Sequence, residues 1–215
     1  MPLVVRLERG ATPTHGDALH AAASSVVALL THPDATGPWH PALARWSDGR
    51  IRKVVRRARA SRWEEIAALS GVTVSRGDAE VRALVPHPVA DPPPALARLQ
   101  ITGLDLPEDS TVPDVPTSES PVLTIAIAPG LAMTTGKACA QVGHAAQLAL
   151  LQLDRATVIS WVTAGHPLRV VEPGKTAWDQ LLRAGRDVAS VQDGGFTEVA
   201  PGTHTSAATF ANLTT

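Results

Sequence analysis

The chain has 215 residues, 44% hydrophobic and 18% charged, with 19 Lys+Arg against 20 Asp+Glu. That composition builds a globular core and excludes a disordered or fibrous chain. The single cysteine, Cys139, excludes an internal disulfide and a multi-cysteine metal cluster. No run approaches the roughly 18 apolar residues of a membrane span, and Arg6, Glu8 and Arg9 come too early for a secretory signal. A soluble, cytoplasmic protein is expected.

Net charge hides an uneven distribution. Residues 1–90 hold 12 Lys+Arg against 8 Asp+Glu, residues 91–120 hold 1 against 6, and residues 121–215 hold 6 against 6. Three regions of different sign predict two units and a connector. In the first unit, strands are predicted at Leu3–Arg6, Ile51–Val55, Val72–Ser75 and Leu96–Thr102, with helices at Asp17–Leu30 and Ser61–Leu69. Pro107–Ser120, PEDSTVPDVPTSES, has three prolines and four acids and reads as an extended linker.

Beyond it the same order returns. Leu123–Ile127 is a short apolar strand, Lys137–Leu153 an alanine-rich helix, and Pro167–Val171 a second strand. Thr176–Gly185 is a helix with Thr176 as N-cap. Val188–Gln192 and Thr205–Asn212 complete four strands. WEEIAALSGVTVSRGDAEVRALVP from Trp63 lies over WDQLLRAGRDVASVQDGGFTEVAP from Trp178 without a gap, pairing Asp78 with Asp193 and Pro86 with Pro201. Gly16 likewise lies over Gly136. This predicts an internal duplication: an α/β fold of two tandem copies, each a small mixed four-stranded sheet flanked by helices. The expected boundaries are residues 1–106, a linker at 107–120, and residues 121–215.

The most pointed segment is PGLAMTTGKACAQVGHAA, Pro129–Ala146. A helix opening on Lys137 concentrates positive potential suited to a phosphate or a developing oxyanion. A phosphate-binding P-loop fails, because Gly130 and Gly136 have five residues between them and Ala138 follows the lysine. Gln141 and His144 follow Lys137 at i+4 and i+7, on one helix face. For His144 alone, a bond to a neighbouring backbone carbonyl is the blander reading. The second segment is VQDGGFTEVAPGTHT, Val191–Thr205, which places Asp193 at a strand end before a Gly-Gly turn.

Together LTIAIAPGLAMTTGKACAQVGHAA and VQDGGFTEVAPGTHT resemble the signatures of the archaeal/eukaryotic-type peptidyl-tRNA hydrolases. The resemblance covers residues 121–215 and implies metal-independent, cofactor-free hydrolysis of the ester joining a peptide to tRNA. It implies Lys137 as the essential lysine, Asp193 as its acidic partner, Thr197 and Thr205 as hydroxyls of the site, and Gly136, Gln141 and His144 as substrate-side residues. A water nucleophile fits, since no G-x-S-x-G elbow is present. Three positions depart from the family's usual charges: Thr135 for a second lysine, Ala128–Gly130 for an Arg-x-Asp, and Phe196 for an arginine.

In the first copy Asp17 takes the place of Lys137 and Arg82 that of Thr197, which predicts an inactive copy. RIRKVVRRARASR, Arg50–Arg62, has seven basic residues in thirteen. They form either a solvated basic face or a contact for tRNA phosphates through Arg56, Arg57 and Arg59. The family's usual dimers raise a pseudo-dimeric single chain beside a homodimer. The rival expectation is a catalytically inactive protein of the same fold that binds RNA or another partner.

Overall fold

The computed structural model describes residues 1–8, 10–49, 51–108, 121–195 and 197–210. The amino-terminal half runs β1 (Pro2–Arg6), α1 (His15–Leu30), α2 (His40–Ser47), β2 (Val54–Ala58), α3 (Ser61–Ala67), β3 (Gly71–Arg76), β4 (Ala79–Leu84) and α4 (Pro94–Ala97). The second half runs β5 (Leu123–Ile127), α5 (Thr135–Leu150), α6 (Arg155–Thr163), β6 (Leu168–Val171), α7 (Lys175–Arg183), β7 (Ala189–Gln192) and β8 (His204–Thr209).

Each half forms one mixed sheet, and the two sheets have the same strand order: β2-β1-β4-β3 and β6-β5-β8-β7. The first two strands of each pair in parallel and the others antiparallel. The central strands β1 and β5 are continuous apolar runs because both of their faces are covered. One face of each sheet meets the long helices; the other holds a tryptophan. Trp63 and Ile66 of α3 pack on Val4 and Ala58, and Trp178 and Leu181 of α7 pack on Ala126 and Ala207.

The halves meet through α1 and α5, whose facing surfaces are almost all small: Ala18, Ala22 and Val26 against Ala138, Val142, Ala145 and Ala146. Small side chains let the two backbones approach. At Gly143 an added Cβ would lie 3.1 Å from both Val26 Cγ2 and Lys53 Cδ, so any side chain there would require these two to give way. One core cluster therefore runs continuously through both halves.

The repetition reaches individual bonds. Thr14 caps α1 by accepting from Asp17 N at 3.3 Å, and Thr134 caps α5 by accepting from Lys137 N at 3.3 Å. The Trp46 indole donates to Arg52 O and the Trp161 indole to Pro167 O, both at 3.1 Å.

The ungapped pairing of sequences holds at the tryptophans but not beyond. Val55 and Val170 are equivalent partners of the central strands Leu3 and Ile125, whose other partners are Ala83 and Ala208. Ala83 therefore corresponds to Ala208, which breaks the pairing of Pro86 with Pro201 and of Arg82 with Thr197. The cause is a long connection, residues 193–203, where the first half has only a tight turn at Gly77–Asp78.

Other expectations shift too. β2 starts three residues later than predicted, and the strand expected at Leu96–Thr102 is instead α4 and one isolated bridge, Arg57 to Gln100. The fourth strand of that sheet is β4, whose sequence AEVRAL carries a weak strand signal. α5 begins at Thr135 and α7 is capped by Gly174 rather than Thr176. Of the predicted linker, residues 109–120 lie outside the described residues.

Candidate active site

Lys137 stands in the first turn of α5, and Asp193 follows the last residue of β7. Helix and strand end thus converge at one edge of the second sheet. The Lys137 ammonium donates to Asp193 Oδ2 and, at 2.9 Å, to Thr197 Oγ1. The side chains of Lys137 and Asp193 are only 11% and 9% exposed, so the pair is nearly dry and its electrostatics strong.

Asp193 is over-determined. Its Oδ2 also accepts from Gln141 Nε2 at 2.8 Å, and its Oδ1 accepts from Gly195 N at 2.8 Å. Burial works to raise its pKa, but the Lys137 bond and charge, the Gly195 amide and Gln141 together hold it below the usual carboxylate range. Gly195 is required here: it has φ +72°, and a Cβ would sit 2.3 Å from Pro201 Cγ.

Behind this pair lies a buried support. Thr205, fully buried, donates from Oγ1 to Gln141 Oε1 at 2.6 Å, which turns the Gln141 amine toward Asp193. Ser206 Oγ donates to Gln141 O at 2.9 Å. Gln141 and Thr205 are thus enclosed in the support of Asp193, whereas Thr197 is at the exposed mouth.

The remaining predicted site residues lie elsewhere. His144 faces the amino-terminal half, with Nδ1 at 3.3 Å from Lys53 Nζ. Burial, then the neighbouring Lys53 charge, lower its pKa to about 3, so the imidazole is neutral at physiological pH. The Gly136 amide donates to Leu104 O at 3.1 Å. Arg56 donates to Leu99 O at 2.7 Å, and Arg57 to Gly103 O at 2.6 Å and to the Gln100 side chain. Arg59 is exposed, and Phe196 lies outside the described residues.

Several participants carry no sequence signal. Glu198 accepts from Thr134 N at 2.7 Å and from Thr134 Oγ1 at 2.8 Å. With Thr134 N, Gly136 N and Lys137 N all engaged inside the chain, these three amides of the α5 N-terminus are not open to a ligand. The Lys137 ammonium and the Thr197 hydroxyl remain at the mouth. Thr135 is fully buried; its Oγ1 accepts from Leu106 N and lies beside His15 Nδ1, both at 2.9 Å.

Among the described residues, the equivalent edge of the first half offers no such cluster. Asp17 is paired with Arg76 at 3.6 Å and packs on the Gly77 turn. Arg82 is held by Thr73 Oγ1 at 2.8 Å and Leu69 O at 2.6 Å. Among the described residues no three His, Cys, Asp or Glu side chains are grouped to hold a metal, and no helix is long and apolar enough to cross a membrane. Burial pushes the Cys139 thiol up to about 12, which leaves it protonated.

A buried, oriented carboxylate beside an ammonium and a hydroxyl is suited to guiding water onto a carbonyl and stabilising the resulting oxyanion. No curated protein matches the chain. Residues 122–212 do match the family model described as peptidyl-tRNA hydrolase PTH2, a span that contains β5 to β8 and the whole Lys137–Asp193 cluster, so the C-terminal half is similar to that family.

Proposed function

We propose that the C-terminal half hydrolyses the ester between a peptide, or another N-blocked aminoacyl group, and tRNA. The observation that supports it best is the single carboxylate oxygen, Asp193 Oδ2, shared by Lys137 and Gln141 at the edge of a family-matched domain. Water attacks the carbonyl carbon and passes its proton to Asp193. The oxyanion is met by a Lys137 N–H and by the Thr197 hydroxyl, whose oxygen accepts from Lys137 and whose proton is left to donate. Collapse expels the ribose oxygen, which takes the proton back. Gln141 and Thr205 position Asp193 rather than touch substrate. No step calls for a metal or a cofactor.

The amino-terminal half, on this reading, is a diverged duplicate that lost the 193–203 connection and serves as the partner the C-terminal half packs against. The chain is then its own pseudo-dimer, and a translation-linked substrate fits a cytoplasmic setting. One observation favours the rival, a non-catalytic RNA-binding module: α5 offers its Thr134, Gly136 and Lys137 amides to protein acceptors and not to a ligand.

Release of peptide from N-blocked aminoacyl-tRNA decides between them. Lys137→Ala and Asp193→Ala are each expected to lower kcat by about 10²–10³. Absence of turnover by the wild type, with tRNA still bound, refutes the hydrolase.

A further inference from the structure

The basic run Arg50–Arg62 divides by function in the structure. Lys53 turns inward to α5, and Arg56 is tied to Leu99 O. Arg57, Arg59 and Arg62 instead line one surface groove with Ala58, Ser61 and Gln100. Arg59 and Arg62 are exposed, and among the described residues neither side chain has a hydrogen bond or ion pair. Between them Ala60 has φ +44°, a conformation costly for a residue with a Cβ, which turns the chain sharply from β2 into α3.

The groove approaches the N-terminus of α5. Arg57 Nη1 binds Gly103 O at 2.6 Å, and the carbonyl of the very next residue, Leu104, accepts from Gly136 N at 3.1 Å. One residue of chain bridges the two contacts, so the Arg57 guanidinium lies within about 10 Å of the residue preceding Lys137. The second half has no counterpart. By the Val55–Val170 equivalence, Arg57, Arg59 and Arg62 correspond to Glu172, Gly174 and Ala177. Glu172 accepts from Gly130 N at 3.1 Å, so an acid stands where Arg57 does in the first half.

We infer that the groove of Arg57, Arg59 and Arg62 is the phosphodiester-binding surface of this protein, holding the tRNA backbone next to the ester while the Lys137–Asp193 pair reacts. The inference rests on the hydrolase reading only for the identity of the RNA. Unpaired arginines suit phosphate oxygens, which they meet with paired N–H donors. The partner is read as backbone rather than bases because no aromatic side chain lines the groove.

The test is equilibrium binding of deacylated tRNA to the wild type and to the double variant Arg59→Ala/Arg62→Ala between 50 and 200 mM salt. Neither side chain has a contact to lose, so equal melting temperatures are expected. Two lost contacts to a single strand reduce the slope of log K against log salt by about 1.4. The wild type should therefore lose about sevenfold more affinity than the variant across that range. Equal slopes and affinities overturn the inference, as does a wild type that binds poly-glutamate but not tRNA. Because binding is read without turnover, a wild type that binds through the groove and cleaves nothing refutes the hydrolase and leaves the surface established.

Discussion

Lys53 is the least usual charge in the molecule. Its ammonium donates to Gln147 Oε1 at 2.5 Å, lies 3.3 Å from His144 Nδ1, and stands 5.0 Å from the Trp46 ring centroid. No ion pair among the described residues includes it, and burial lowers its pKa from 10.5 to about 7. The unfolded chain thus binds a proton that the folded chain gives up between pH 7 and 10.5. Stability rises with pH across that window and is indifferent to Lys53 below it. At about 1.36 kcal/mol per pH unit, the rise from pH 7 to near pH 9.5 is about 3 kcal/mol. Lys53→Met keeps the stem and removes the titration. Two neighbours also feel the Lys53 charge: the Met1 amine, lowered from 8.0 to about 5, and His144, lowered from 6.5 to about 3. Burial is the larger cause for each, and both give up their protons in the folded protein below pH 7. Urea unfolding of both at pH 7, 8 and 9.5 should show the wild type gaining about 3 kcal/mol on the variant. Parallel stability curves would refute a desolvated Lys53.

Two further substitutions probe the site. Thr205→Val leaves Gln141 Oε1 without its 2.6 Å donor, an unsatisfied acceptor costing about 1–3 kcal/mol; kcat for N-blocked aminoacyl-tRNA should fall at least about tenfold with KM little changed, and Thr205→Ser should restore it. An unchanged kcat would show that Gln141 does not orient Asp193. Thr135→Lys puts back the lysine usual in the family, yet it buries an ammonium at a fully enclosed position; the melting temperature should fall by about 10 °C or more, and a stable, more active variant would contradict the packing there.

The sequence showed most where pattern and geometry share a period. The apolar runs LTIAI and PLVVR and the alanine-rich helix specify their elements locally, and strands and helix followed. Lys137, Asp193 and Thr197 were recognisable because a motif carried them. What stayed hidden depends on long-range packing. Glu198, Leu104 and His15 reach the α5 N-terminus from separate parts of the chain, and no spacing announces them. Arg50–Arg62 is one basic run in sequence, but β alternation and the turn at Ala60 send its side chains to three environments. The same limit misled the ungapped pairing of the two halves, since a connection nine residues longer in the second half leaves the tryptophans aligned and moves the last strand.

The missing lysine at Thr135 and the arginines of the amino-terminal groove answer to one constraint. A chain whose halves pack through α1 and α5 has to carry its backbone from the first sheet across the start of α5. Residues 104–107 do this: Leu104 O accepts from the Gly136 amide, Leu106 N donates to the Thr135 hydroxyl oxygen, and Pro107 O accepts from His15 N at 2.8 Å. A charged side chain at position 135 would have no path to solvent beneath that strap, so a short hydroxyl that can accept two donors fits where a lysine does not. The strap that covers Thr135 is also what binds Arg57 at Gly103, and it thereby draws a cationic surface of the other half up to the same edge. On the proposed reading, charge for the substrate's phosphates lies on β2 and the turn after it instead of on α5. On this reading the amino-terminal half keeps no chemistry of its own, yet deleting it would expose the α1-facing side of α5 and remove the cations the site works beside.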